Sequence, residues 1–185
     1  MIRQSAHDLH RSVGQTYGLG VPYSVHLDMV AAWVLNCGHE VCAHEQDVLP
    51  MVFGAYFHDS IEDARLTYND VTRLARGWMD DTQAHMAAEI VYALTNDKGR
   101  TRAERAGEHY YQGIRETPYA PMVKLADRLA NMTYSLTSDD KDNVRMCEVY
   151  RGELPHFLNA ITVDSTDARF GLPATMLARM QELVN

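Results

Sequence analysis

The run His58-Asp59-Ser60-Ile61-Glu62-Asp63 follows directly on the apolar stretch MVFGAYF. It sets one imidazole and three carboxylates side by side. Imidazole and carboxylate are the donors that suit first-row divalent metals. A carboxylate beside such an ion is placed to take a proton from water. If the apolar helix continues through Asp63, His58 and Glu62 share one face and Asp59 and Asp63 another, with neighbours about 100° apart. The four side chains then make one broad polar patch at the end of a core helix. Asp59 and Asp63 at that spacing repel by about 0.2–0.5 kcal/mol, and a bound cation reverses the penalty. The plain alternative is a charged helix end facing water. The chain carries its own control at His7-Asp8, where the pattern predicts a solvated N-terminal helix.

Other places carry candidate chemistry. His26, in PYSVHLDMVAAW, sits near the start of an amphipathic pattern beside Val25, Met29 and Val30, where a lone histidine is more often a satisfied core residue. Asp127, in MVKLADRLANMTYSL, borders a face defined by Val123, Leu125, Leu129 and Met132. A carboxylate there needs a metal or a partner, and Lys124 or Arg128 is at hand. HEVCAH, at 39–44, is a near miss of a zinc motif: its histidines stand about 140° apart on a helix and cannot share a metal from one face. DKGRTRAER gathers Lys98, Arg100, Arg102 and Arg105, either to face phosphates or as a solvated helix start.

The elements that must position these residues are helices. Apolar spacing predicts helices over Ser24–Cys37 (ended by Gly38), about 45–58 (with Pro50 kinking it or marking a later start) and Thr67 to about Arg76. Further ones are predicted over 81–95, 100–116, 119–137, 141–161 and 173–184. Thr67 and Asp70 read as a short capping box. Alternating β-branched runs and Asn-Gly or Asp-Gly turns are scarce or missing, so the expected class is all-α. The glycines from Gly14 to Gly20 mark a loop.

The totals set bounds. The 185 residues, 46% hydrophobic and 23% charged, suit one globular domain with a sizeable core. No apolar run reaches the roughly 18 residues of a membrane helix. Cys37, Cys42 and Cys147 fit neither a disulfide framework nor a metal pattern, which points to a reducing, cytoplasmic setting. A net charge of −8 argues against a nucleic-acid surface, but a local basic patch still admits a small anion.

PYSVH, FHDSIED and VKLADRLANM, in that order, resemble the motifs of the HD-domain phosphohydrolases. Within them they are most like the hydrolase domain of RelA/SpoT proteins and the stand-alone metazoan SpoT homologues. LTNDKGRTRAER resembles the segment between the second and third motifs, and the likeness runs from about Tyr23 to Tyr150. It implies an all-α HD-domain helical bundle, with 1–185 as a single hydrolase domain and the motifs within about 23–150. It implies that His26, His58, Asp59 and Asp127 hold one divalent metal, usually Mn²⁺. Glu62 and Asp63 would then position and deprotonate the attacking water. Lys124, Arg128 and Asn131 would lie on the site side of their helix. Lys98 and Arg102 would face phosphates, and Arg145 and Tyr150 would close the nucleotide pocket.

The implied reaction removes the 3′-pyrophosphate of ppGpp or a related nucleotide, as in the stringent response. The implied partner is a small phosphorylated nucleotide, with no nucleic acid, no membrane and the oligomeric state open. Members of that family carry a basic pair in the loop before the first motif. Here GQTYGLGVPY has no Lys or Arg, and Tyr17 or Tyr23 is left to stack on a base. Two alternatives follow: an HD-type phosphohydrolase of nucleoside monophosphates or similar nucleotides, and a non-catalytic nucleotide-binding HD protein. The complete set of four ligands and two carboxylates disfavours the second.

Overall fold

The computed structural model describes every residue except Asp139 and Asn185, and among the described residues it is all helix and loop, without a strand. In chain order the helices are α1 (Ile2–Ser12), α2 (Ser24–Cys37), α3 (Val48–Phe57), α4 (Tyr68–Ala75) and α5 (Asp81–Leu94). They continue with α6 (Arg102–Arg105), α7 (Glu108–Glu116), α8 (Ala120–Thr137), α9 (Lys141–Ile161) and α10 (Ala174–Val184). None of them is long and apolar enough to cross a membrane.

Helix α8 is the axis of the packing. It contacts α2, α3, α5, α7, α9 and α10. Val123, Leu125, Leu129 and Met132 are fully buried on it, as the spacing predicts, and so are Met122, Ala126 and Ala130. Each large side chain buried this way contributes about 1.5–3 kcal/mol. The N-cap of the helix is Tyr119, which adopts the left-handed φ of 66°. That conformation costs a non-glycine residue about 1–2 kcal/mol. It is held by a hydroxyl that donates to Asp47 Oδ2 (2.6 Å) and accepts from the Ala43 amide (3.1 Å), and by a Tyr119 N–H that donates to the Arg169 carbonyl (2.6 Å).

Several expectations hold and some change. The capping box at Thr67 and Asp70 is present, and a second one, Asp80 with Gln83, opens α5. Helix α2 has the expected span, but its buried side runs through His26, Leu27, Val30, Ala31, Val34 and Cys37, while Val25 is exposed. The helix is apolar nearly all round, so spacing alone placed its inner face about one position off. Pro50 marks the later start: α3 begins at Val48, so the proline falls in the first turn, where its missing N–H costs nothing. Gly54 lets α3 and α5 touch, since a Cβ there would lie 2.5 Å from Ile90. The stretch 100–116 is two helices, broken where Gly107 becomes the N-cap of α7.

The motif itself departs from a continuous helix. Helix α3 ends at Phe57, and residues 58–64 form a tight turn. Ser60 N–H donates to the Phe57 carbonyl (2.9 Å) and Asp63 N–H to the Asp59 carbonyl (2.9 Å). The Leu66 amide closes the turn on the Ser60 carbonyl (3.2 Å).

Candidate active site

The end of α3, the start of α2 and the middle of α8 meet, and each delivers a donor. His26 Nε2 and His58 Nε2 face each other at 3.1 Å. Asp59 Oδ2 lies 2.9 Å from His58 Nε2 and 3.6 Å from His26 Nε2. Asp127 Oδ1 lies 3.4 Å from His26 Nε2 and 3.9 Å from His58 Nε2. Both histidines are buried. Donors bonded at about 2.0–2.2 Å to one divalent ion stand about 3.0–3.5 Å from one another. His26, His58 and Asp59 come close to this as a compact trio, and Asp127 Oδ1 stands further out on the histidine side.

The tautomers agree with that use. His58 Nδ1 donates to the Ala55 carbonyl (2.9 Å), so its Nε2 is the nitrogen turned to the cluster. Burial lowers the His58 pKa, but Asp59 and Asp127 outweigh it and raise it to about 9. Burial and the neighbouring His58 push His26 down to about 4. Burial raises Asp59, but the two histidines and the Tyr23 hydroxyl hold it well below the carboxylate range. Two imidazole nitrogens and two carboxylates turn toward one region, a donor set whose chemistry fits a divalent cation.

Glu62 and Asp63 flank this cluster, each with an orienting amide. Asn96 donates to Glu62 through its backbone N–H (2.5 Å) and its side-chain amide (3.1 Å). Gln15 Nε2 donates to Asp63 Oδ2 at 2.9 Å. Burial and the Asp59 and Glu62 charges push Asp63 up to about 6. On α8, Lys124 Nζ donates to Asp127 Oδ2 (2.9 Å) and Asn131 Nδ2 to Asp127 Oδ1 (2.6 Å). The expected pairing of Asp127 with Lys124 is present on Oδ2, while Oδ1 is the oxygen turned toward the two histidines.

The loop before α2 folds onto the same point. Its tip closes through Tyr17 N–H on the Val21 carbonyl (2.7 Å). Gly18 is left-handed, and a Cβ there would lie 2.7 Å from the Tyr134 hydroxyl, which itself donates to the Tyr17 carbonyl. Tyr17 donates to Asn131 Oδ1 (3.0 Å) and packs against Tyr134 and His26. Tyr23 donates to Asp59, and its ring stacks on His10. Both tyrosines are thus engaged inside the site.

The basic side lies between α5 and α9. Asn96, Arg102, Arg105, Lys124 and Arg128 are among the walls of a cavity of about 80 Å³. Asn96 and Lys124 join it to Glu62 and Asp127. The Tyr150 ring lies under two guanidinium groups, Arg102 at 5.4 Å and Arg128 at 4.7 Å from its centroid. Lys98 is exposed on the loop before α6. Arg145 is exposed on α9, with Asp142 of its own helix 4.0 Å away. Among the described residues neither makes a hydrogen bond or ion pair with the cluster. His39 is exposed in a single 3-10 turn, Gly38–Glu40, and His44 is exposed just before the next one; among the described residues the two share no metal geometry.

Gln15 and Asn96, and Glu153 of α9, which accepts from Arg102 (2.7 Å), are side chains of the site that no motif in the sequence marks. Each acts across 34 to 51 residues of chain. Only the position of Asn96 next to the basic run was a hint.

No protein-family profile matches the chain. Curated proteins do. The guanosine-3′,5′-bis(diphosphate) 3′-pyrophosphohydrolase MESH1 of Mus musculus is 28% identical over 128 residues, 66% of this chain and 61% of that protein. Its Danio rerio counterpart is 26% identical over 129 residues, 69% of this chain and 63% of that protein. The Homo sapiens protein is 28% identical over 128 residues. The match thus spans less than two thirds of the length of these relatives. A solved structure of a metazoan ortholog of SpoT that hydrolyzes ppGpp and plays a role in starvation responses superposes with a TM-score of 0.67. It covers 98% of this chain and 90% of that one at 19% identity, which speaks for the fold. In its motifs and in its helical fold alike, the chain is similar to the HD-domain alarmone hydrolases.

Proposed function

We propose that this chain is a divalent-metal-dependent hydrolase that removes the 3′-pyrophosphate of ppGpp, with manganese as its metal and a reducing, cytoplasmic setting. One observation carries the reading: the His26, His58, Asp59 and Asp127 donors adjoin both an oriented carboxylate pair and a cavity lined by cations. The likeness to the MESH1 proteins supports the substrate.

Those four residues would hold a divalent ion, which would supply Lewis-acid polarisation and a lowered pKa for water. The rest is work for side chains. Water adds to the phosphorus on the ribose 3′ oxygen, the O3′–P bond breaks, and GDP and pyrophosphate leave. One proton passes from water to the carboxylate pair and on to the departing ribose oxygen. Asp63, lifted toward neutrality by burial and by Asp59 and Glu62, is suited to take it. Gln15 and Asn96 fix the two carboxylates, and Lys124, Arg102 and Arg128 offset phosphate charge.

A second reading rests on the loop before α2. It carries no cation, and Gln15, Tyr17 and Tyr23 are turned inward to Asp63, Asn131 and Asp59. That favours another phosphorylated nucleotide. A substrate panel separates the two. The proposed function predicts equal release of GDP and pyrophosphate from ppGpp. Phosphate release from nucleoside monophosphates with ppGpp inert would overturn it in favour of the second.

A further inference from the structure

Arg102 and Arg128 converge on one carboxylate. Glu153, on α9, accepts from Arg102 Nε at 2.7 Å and Nη2 at 2.9 Å in a fork, and from Arg128 Nη1 at 3.1 Å. Arg128 is buried and also lies 4.3 Å from the Phe157 ring centroid, so its position is set by packing. A carboxylate gripped bidentately by one arginine and shared with a second occupies the geometry that guanidinium groups offer to phosphate oxygens. Glu153 therefore sits where an anion of the substrate would be expected to sit.

Its place among the cavities sharpens the point. Arg102, Ala106 and Tyr111 line both the inner cavity of about 80 Å³ and an outer groove of about 470 Å³. Glu153 is a wall of the outer groove alone. The Arg102–Glu153 pair thus stands in the partition between the two. The lining of the inner cavity includes Arg102, Arg105, Lys124 and Arg128 and no carboxylate.

We propose that Glu153 is a built-in competitor for this anion site, which an incoming phosphoryl group has to displace from Arg102 and Arg128. The inference rests on the phosphohydrolase reading and deepens it, because such a competitor selects among substrates. A single phosphate replaces the carboxylate nearly bond for bond and gains little. A pyrophosphate group reaches Arg105 or Lys124 as well and wins the exchange. Glu153 is in this sense a specificity-determining residue rather than a catalytic one.

The test is a titration of the purified 185-residue chain with inorganic phosphate, followed by calorimetry. If the open arrangement is populated about a tenth of the time, freeing it tightens apparent binding about tenfold. Glu153→Gln is expected to show that gain, with Glu153→Ala as a second variant read in the same way. The gain should vanish when Arg102→Gln is added. Glu108→Gln, an exposed wall of the same outer groove paired with Arg115, should show none of it. Unchanged or weaker phosphate binding in both Glu153 variants would make Glu153 a structural anchor and overturn the proposal. So would a gain that survives loss of Arg102, or an equal gain from Glu108→Gln. Because the readout is binding, it separates from the function above. A cycle that holds with ppGpp inert removes only the alarmone reading, and ppGpp turnover with a null cycle removes only the role of Glu153.

Discussion

The chain carries the dipeptide His-Asp twice, and the two copies meet different fates. At His7-Asp8 the residues lie within α1, which packs on α2 and α3 and shows its outer side to water. The roughly 100° between neighbours on a helix splits them. His7 is buried and pairs with Asp28 at 3.0 Å, whereas Asp8 is exposed and bonds Gln4 and Arg11 of its own helix. His7 is therefore not the solvated residue that its sequence suggests. At His58-Asp59 the residues lie just past α3, a helix enclosed by α1, α2, α5 and α8. There both directions point into protein, and both side chains join His26 in one cluster. The difference teaches that the dipeptide acquires chemistry only where two adjacent directions are both walled by other elements.

The comparison can be broken most decisively at the aspartates. On the proposed metal site, Asp59→Asn is expected to lower bound metal at least tenfold and to take ppGpp turnover to background. Asp8→Asn, the same change in the other copy, should leave both untouched. Metal analysis and turnover on the two variants check this, and equal effects would end the distinction. A smaller effect sharpens the role of the turn after α3. Asp63→Asn should lower turnover about 10²–10⁴-fold while metal content stays whole, because the residue serves proton transfer rather than the ion. Loss of metal from this variant would move Asp63 into the ligand set.

The smallest effect belongs to the first copy. Burial raises the Asp28 carboxyl, but Arg3 and His7 more than offset that and leave it below its ordinary value. A depressed carboxyl stabilises the fold above its unfolded pKa, and that contribution is lost as pH falls through the folded one. Asp28→Asn should therefore cost less than about 1 kcal/mol at neutral pH, since the pair is half-exposed and screened, and nothing in strong acid. Urea melts at neutral pH and below about pH 3 check the sign.

The same contrast shows what can be read from a chain before folding. Helix spans follow from local spacing and capping, which is why α2, α4 and α9 match and why Thr67 with Asp70 closes as expected. Enclosure is not local. Nothing near His7 announces Asp28, and nothing near Glu153 announces Arg102 across 51 residues. The motifs resemble a known site, so candidate ligands and carboxylates can be named from them, but Gln15 and Asn96, which hydrogen-bond those carboxylates, cannot. The stretch 100–116 misled for a simpler reason: its periodicity continues through Gly107, where the backbone turns.

The most direct test of the account is ppGpp turnover by the purified chain after metal removal, with Mn²⁺ added back in steps and GDP and pyrophosphate followed together. The account predicts no turnover without metal, then equal release of both products, saturating at about one equivalent of metal per chain. Undiminished turnover by the metal-free chain, or intact ppGpp beside a fully loaded one, would contradict it.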